Sequence, residues 1–288
     1  MTSYDYNALL TEAGDRTDAY YGVRELFQKY GVGVPELTAT ETQKRAYGEV
    51  EFYASAGLLE NRFRIGTTKE YASPPYMEDC GQDFGYVLYS SRLEEGIEDS
   101  ELIVDGLADR AVIIVGGEKK GVYERGRAYK YCHVQTQEET TIDVLVENTG
   151  RINFGTFLYD RKGATGVRLK NSWRWNRFIC HWTVTNLPME DLENLVYGDL
   201  KKQDIPTFYK GKFHVDTPAD TFLKPSGFSK GFAVVNGFNL GRFYNEAGPQ
   251  KTLFVPASVL KQGENEIVVF DSDGPSELKA EFLAKPEL

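Results

Sequence analysis

Few residues in this chain are spaced for chemistry. His133, His181 and His214 stand apart from one another. They lack the HxxxH or HExxH pairing that brings zinc ligands together, so each reads as a surface or satisfied strand histidine, and no metal or cofactor site is expected. Asp143 and Glu147, in TIDVLVEN, share one face of a strand at a separation of roughly 13 Å. A carboxylate pair that cleaves a glycosidic bond is held at about 5–10 Å, so this pair suits neither of its geometries. GGEKKG (116–121) lacks the GxxxxGK[ST] order of a phosphate loop and reads as a hairpin loop, and no GxSxG nucleophile elbow occurs. The most suggestive stretch is KGFAVVNGFNLGRFY (230–244). Asn236-Gly237 is a strong hairpin signal, since both turn positions favour positive φ. Asn239, Arg242, Phe243 and Tyr244 on its second arm are residue types that either grip a sugar or close a sheet edge. The first reading makes an autonomous carbohydrate-binding module, with Phe228, Phe243 and Tyr244 stacking on a pyranose. The second makes a scaffold, with Phe232, Val234 and Phe238 facing the core and Asn239 and Arg242 holding the following turn.

The bulk properties narrow the class. The 288 residues are 41% hydrophobic and 13% aromatic, with a formal net charge of −10. That charge repels nucleic acid and anionic membrane surfaces. The longest strongly apolar run, AVIIV (111–115), is far too short to span a bilayer. MTSYDYNALL has no basic region followed by an apolar one, so no secretory leader is expected within this chain. Cys80, Cys132 and Cys180 make an odd, scattered set. They read as free, mostly buried thiols in a reducing, cytoplasmic setting, the alternative being one bridge and a leftover thiol.

The elements that must position any site are mostly strands. Residues 17–30 form the exception: Thr17 can cap a helix, Gly31 can take the left-handed position after it, and Tyr20, Val23, Phe27 and Tyr30 align on one stripe. A lone helix of that length is marginal in water, so the stripe needs something to pack on. Beyond it, YGEVEFY, FGYVLYSSRL, ELIVDG, RAVIIVGGEKKGVYER, TTIDVLVEN and GVRLKNSW alternate with glycine or acidic turns. A polar stretch at 188–206 with an acidic-then-basic pattern reads as a helical bridge. After it come TFYKGKFHV, DTFLKP, the hairpin, KTLFVP, NEIVVFDS and ELKAEFL. The fold class is therefore all-β, two jelly-roll or β-sandwich domains with a short N-terminal helical segment. The expected layout is 1–31 with one helix, a 32–50 linker, a first sandwich at 51–187, the bridge at 188–206, and a second jelly roll at 207–288, with which a strand near 47–53 could pair.

Four ordered stretches resemble one family. TSYDYNALLTEAGDRTDAYYGVRELFQKYG (2–31) resembles the end of the catalytic TIM barrel in glycoside hydrolase family 35 β-galactosidases. GQDFGYVLYSSRL (81–93) and DVLVENTGRINFG (143–155) followed by DRKG (160–163) resemble segments of the family's first β-domain. GFSKGFAVVNGFNLGRFYNEAGPQKTLFVPASVLKQGENEIVVF (227–270) resembles its closing galactose-binding-like jelly roll.

The resemblance implies a C-terminal portion of a retaining β-galactosidase, whose partner is a catalytic barrel carrying the acid/base and nucleophile glutamates. No catalytic residue is then expected in this chain, which would be inactive alone and would brace the barrel against galactoside substrates. The helix becomes a barrel remnant. The resemblance also implies that Tyr6 contacts galactose and that Phe154 takes the place of a tyrosine projecting into the active-site mouth. Each could instead serve only in packing. Phenylalanine at 154 keeps the ring and loses the hydroxyl, and Asn7 and Leu9 are further departures from the family pattern. Arg151 and Arg242 read as structural, their planar forks tying down carbonyls beside turns. Linkage preference and oligomeric state are left open.

Overall fold

The alternating segments pair into antiparallel sheets. A computed structural model describes residues 8–37, 42–127, 132–156, 158–171 and 176–287. The chain divides into two units, one of Met1–Ser55 with Gly198–Leu288 and the other of Ala56–Tyr197.

In the unit Ala56–Tyr197, a six-stranded sheet has the order Thr67–Tyr71, Trp182–Leu187, Tyr86–Leu93, Thr140–Glu147, Arg110–Val115, Glu118–Glu124. A four-stranded sheet has the order Asn176–Phe178, Gly166–Asn171, Ile97–Asp105, Cys132–Thr136. Alternate residues of both enter one core, with Val87, Tyr89, Val144 and Val184 meeting Leu102, Val104, Val134 and Val167. The Tyr89 and Trp182 rings meet edge-on at 6.5 Å. AVIIV is buried at every position, which explains a run without alternation. The hairpin after it turns through Gly116 and Gly117 at φ 60° and 81°.

Two local features differ from the sequence reading. Leu58–Ile65 is a helix in a stretch of the first sandwich where the sequence reading names no element. It buries only Leu58, Asn61 and Ile65, and a polar residue in the middle of the buried face hides the helical period. The Asn61 amide donates to the Gly57 carbonyl at 2.9 Å and accepts from the Val196 amide at 2.8 Å. That second bond bears on the other difference. Over 188–206 the helical content is one 3-10 turn, Leu192–Asn194, and Leu195 is already extended at φ −65°, ψ 133°. The charge pattern suits a helix, but the Val196 amide, which a continuing helix would use, is bonded to Asn61 instead.

The unit of Met1–Ser55 with Gly198–Leu288 repeats the six-plus-four plan. Its larger sheet runs Gly198–Asp199, Glu51–Gly57, Thr207–Val215, Gly263–Asp271, Lys230–Val235, Phe238–Tyr244, and its smaller one Gly48–Glu49, Glu281–Leu283, Thr221–Lys224, Leu253–Val255. Tyr209, Phe213, Val235 and Ile267 meet Leu223, Leu253 and Phe282 in the core. Phe213 stacks on Phe282 at 4.0 Å.

The helix Asp18–Lys29 lies in this unit. The Thr17 hydroxyl accepts from the Tyr20 amide at its start, and Gly31 at φ 70° ends it. There the Gly31 and Val32 amides return to the carbonyls of Gln28 and Phe27, a Schellman pattern. None of its residues is buried: Phe27 is 48% and Tyr30 75% exposed. The caps account for the ends of this helix, and its apolar stripe is left largely uncovered.

The Asn236–Gly237 hairpin has φ 49° and 83° at its turn. The Asn236 side chain does more than turn the chain. Its amide donates to the Val259 carbonyl and to Asn265 Oδ1, and its oxygen accepts from the Glu266 amide at 3.1 Å. Phe232 and Val234 are buried, but on the sheet face opposite the core cluster, where Phe232 packs with Phe208 and Phe270. Ala233 and Val235 enter the core instead. Phe238, expected inside, is 52% exposed, because it begins the edge strand of the sheet, at the turn end opposite Val235. A strand buried on both faces gives no polar residue to mark which face is which.

Asp271, at the end of the strand Gly263–Asp271, is fully buried and accepts from the amides of Ser229 and Asp273. Burial outweighs those bonds and pushes its carboxyl up to about 6.

Two outcomes are expected. The double substitution Asn236→Ala with Gly237→Val loses three side-chain bonds and forces a β-branched residue to positive φ, which costs about 2–4 kcal/mol. A melting temperature at least 5 °C lower is expected from calorimetry, and an unchanged one would refute the analysis. For Asp271 the folded pKa lies above the unfolded value. Its contribution is therefore full below about pH 4, declines up to about pH 6 and is flat beyond. Asp271→Asn should remove that slope in a melting-temperature series from pH 4 to 7, and a parallel series for variant and wild type would contradict it.

Candidate functional site

The loop between the strands Thr140–Glu147 and Gly166–Asn171 carries the two most exposed rings among the described residues of its unit. Phe154 is 87% and Tyr159 95% exposed, with Ile152, Leu158 and the neighbouring Phe84 also uncovered. Large apolar side chains left in water along one short segment mark a contact surface. The stems of this loop are held tightly.

Asp109 is buried and receives both stems. Its carboxylate accepts from the Thr149 amide and hydroxyl on one side, each at 2.9 Å. On the other side it accepts from Lys162 Nζ at 3.0 and 2.9 Å. Lys162 is 1% exposed, and its ammonium also reaches Asp160 at 2.9 Å. Arg125 completes the cluster, pairing with Asp109 at 2.6 Å and with both oxygens of Asp160 at 2.9 and 2.7 Å. The Arg125 bonds, joined by those of Lys162, hold the Asp160 carboxyl down at about 2.

Glu78 repeats the arrangement nearer the surface. It pairs with Arg151 on the first stem and accepts from the Lys162 amide on the second at 3.1 Å through each oxygen. Arg161 pairs with Asp79 and lies over the Tyr76 ring at 4.2 Å. The Asp83 carbonyl takes two donors from the first stem, the Asn148 amide group at 2.8 Å and Arg151 at 2.7 Å. Thus GQDFG and VENTGRINFG, far apart in sequence, form one platform. Gly163 closes the second stem at φ 113°, where a Cβ would meet the Tyr89 hydroxyl at 2.4 Å, so only glycine fits.

The sequence-derived candidates are thereby placed. Phe154 is at the exposed tip, and Arg151 ties one stem to a carbonyl and a carboxylate. Tyr6 lies outside the described residues. Asn236 and Gly237 form the turn described above. Arg242 is an exposed residue of the strand Phe238–Tyr244, opposite Phe232, and the neighbouring Asn239 side chain accepts from the Gly241 amide at 2.8 Å. Phe228 and Phe243 are 3% and 7% exposed and pack against each other in the core, so these two rings are not available to stack on a sugar. Asp143 accepts from Ser90, and burial pushes its carboxyl up. The three cysteines are free, but only Cys132 is buried; Cys80 is half-buried and Cys180 exposed, contrary to the expectation of mostly buried thiols. Cys180 precedes His181, which has φ 61°. Among the described residues no group of three His, Cys, Asp or Glu is placed to hold a metal ion.

Asp109, Glu78 and Tyr159 carried no sequence signal of their own. Asp109 sits in GLADR, which has no motif, and its importance arises only because the fold brings both loop stems to it.

Comparisons with known proteins place the chain in a family. The family model for the β-galactosidase first all-β domain matches residues 74–188, which contain the loop and its clamp. The β-galactosidase galactose-binding domain matches 206–265, which contain the Asn236–Gly237 hairpin. A β-galactosidase of Bos taurus is 34% identical over 99% of this chain and 48% of its own length. One from Mus musculus is 35% identical over 99% and 49%. β-galactosidase 8 of Oryza sativa subsp. japonica is 32% identical over the whole chain and 49% of its own length. The chain belongs to the β-galactosidase family and carries its first all-β and galactose-binding domains. It spans about half the length of the curated relatives it matches, consistent with a C-terminal portion.

The clamp makes a stability prediction. Lys162→Met strands the Asp109 carboxylate in a buried site with only Arg125 left as a counter-ion, a loss of about 3 kcal/mol in urea unfolding. Faster tryptic cleavage at Arg151 and Arg161 should accompany it. A loss below about 1 kcal/mol would show that the cluster does not hold the loop. In the wild type, Asp160 contributes fully above about pH 4, and that contribution disappears as the pH falls toward 2.

Proposed function

We propose that this chain is the accessory β-region of a β-galactosidase acting on terminal β-linked galactose. In this reading it braces a catalytic barrel and lends the loop 149–162 to the mouth of the substrate pocket. The observation that carries the reading is the combination of a doubly clamped backbone with an uncovered ring at its tip. Phe154 is 87% exposed while both stems converge on the same two carboxylates, Asp109 and Glu78. A ring held so costs little ordering entropy when it meets a ligand. The half-length match to β-galactosidases supports a separate catalytic part, and the uncovered stripe of the helix Asp18–Lys29 supplies a surface for it.

The chemistry assigned to this chain is positioning rather than proton transfer. The carboxylates around the loop are committed: Asp109 and Asp160 to Lys162 and Arg125, Glu78 to Arg151, Asp79 to Arg161. Retaining hydrolysis through a glycosyl intermediate would use two carboxylates of the barrel, and Phe154 would offer an apolar face to the sugar without a hydroxyl.

The 288-residue chain alone should not turn over nitrophenyl β-galactoside. In the full-length enzyme Phe154→Ala should lower kcat/KM about three- to tenfold, the range of one aromatic contact. Turnover by the purified chain, or a Phe154→Ala enzyme within twofold of wild type, would refute the proposal.

A further inference from the structure

We propose that Asn236 is a latent modification site: the folded hairpin keeps its side chain unreactive, and opening of the hairpin exposes it to a deamidation that blocks reclosure. The inference is independent of the role proposed for the loop 149–162.

The chemistry follows from the dipeptide. Asn236-Gly237 is the one Asn-Gly pair in the 288 residues. The backbone nitrogen of Gly237 is unhindered, because glycine has no side chain, and it is placed in the sequence to attack Asn236 Cγ. A bond forms between that nitrogen and Cγ while the Cγ–Nδ2 bond breaks. The proton of the nitrogen passes to the leaving amide, which departs as ammonia. Water then opens the five-membered imide at either carbonyl, leaving aspartate or isoaspartate. Water is the co-reactant, and nothing is oxidised or reduced.

Three features of the fold hold this reaction off. First, φ values of 49° and 83° at Asn236 and Gly237 are those of a type I′ turn, in which ψ of the first residue is roughly +30°. At that ψ the Gly237 nitrogen lies nearly opposite Cβ across the Cα–C bond, whereas ring closure needs the two eclipsed. Second, the carboxamide is committed. Its Nδ2 donates to the Val259 carbonyl at 2.9 Å and to Asn265 Oδ1 at 2.7 Å, and its Oδ1 accepts from the Glu266 amide at 3.1 Å. Third, the Asn236 backbone amide donates to the Glu266 carbonyl at 3.0 Å. Bringing Cγ onto the Gly237 nitrogen therefore breaks the side-chain bonds and the turn together.

The same bonds make the change one-way. An aspartate at this position keeps an acceptor for the Glu266 amide but has no donor. Its carboxylate would face two acceptors, the Val259 carbonyl and Asn265 Oδ1. Asn265 cannot turn its amide to compensate. It is 1% exposed, its Nδ2 donates to the carbonyls of Lys261 and Gly263 at 2.7 and 3.0 Å, and its Oδ1 accepts from the Lys261 amide at 2.9 Å. Isoaspartate disrupts more, since it moves a methylene into the main chain of a turn whose register sets Val235 opposite Phe238. Modified molecules thus lose the closed hairpin as a stable state and accumulate.

The test incubates the protein in mildly alkaline buffer, with and without unfolding guanidinium chloride, and follows Asn236 by peptide mapping with mass spectrometry. Conversion in the native state should be at least tenfold slower than in denaturant, a protection of about 1.4 kcal/mol. Rates within twofold of each other overturn the proposal, as does an absence of conversion in denaturant. The one-way step is read separately. Asn236→Asp, which reproduces one product, should melt about 3 °C or more below wild type. The modified fraction of the wild type, separated by charge and returned to native buffer, should refold in lower yield or melt lower than the unmodified fraction. That second measurement decides the matter if Asn236→Asp does not fold. Equal yield and equal melting of the two fractions overturn the one-way step.

Discussion

A single buried ammonium governs the loop. Taking a lysine out of water costs several kcal/mol unless its charge is matched and its donors are used. Lys162 meets that demand with Asp109 and Asp160, and Asp109 in turn holds the amide and hydroxyl of Thr149. The two ends of the loop are therefore coupled through one carboxylate. Neither stem can move without leaving a charge stranded in a low-dielectric site, where an unpaired group is far more costly than a lost surface ion pair. The surrounding pairs, Arg125, Arg151 and Arg161 with Asp160, Glu78 and Asp79, extend this fixation outward.

That constraint explains how an apolar tip can be tolerated in water. A mobile loop carrying Phe154, Leu158 and Tyr159 would collapse onto the nearest apolar surface. Held at both stems and turned by Gly150 and Gly155 at φ 111° and 114°, it keeps those side chains away from its own core. Rigid scaffolds that present exposed loop residues are where binding residues concentrate. Stability and presentation are here the same set of bonds.

The hairpin at Asn236 shows the opposite use of similar residues. Asparagine, arginine and aromatic rings can line a sugar site or close a sandwich. Here Asn236 cross-links the turn to Val259, Asn265 and Glu266, and Phe228 and Phe243 fill the core. Residue type did not distinguish the two cases; the rings are buried in one and uncovered in the other.

How much was legible follows from these cases. Alternation and glycine turns reveal the strands because side-chain direction in a strand has a period of two, and the caps of the helix Asp18–Lys29 are local hydrogen bonds between near neighbours. The helix Leu58–Ile65 escaped because Asn61 interrupts its apolar face, and that residue's use becomes visible only in its bond to Val196, remote in sequence. Phe154 stood out through its motif, while Asp109 and Tyr159 did not. By itself the sequence determined the fold class, the family and the turn chemistry, all of which depend on residues close together in the chain. Only the tertiary structure decided which carboxylate holds the loop and which rings face water, because burial and charge pairing belong to groups brought together from distant parts of the chain.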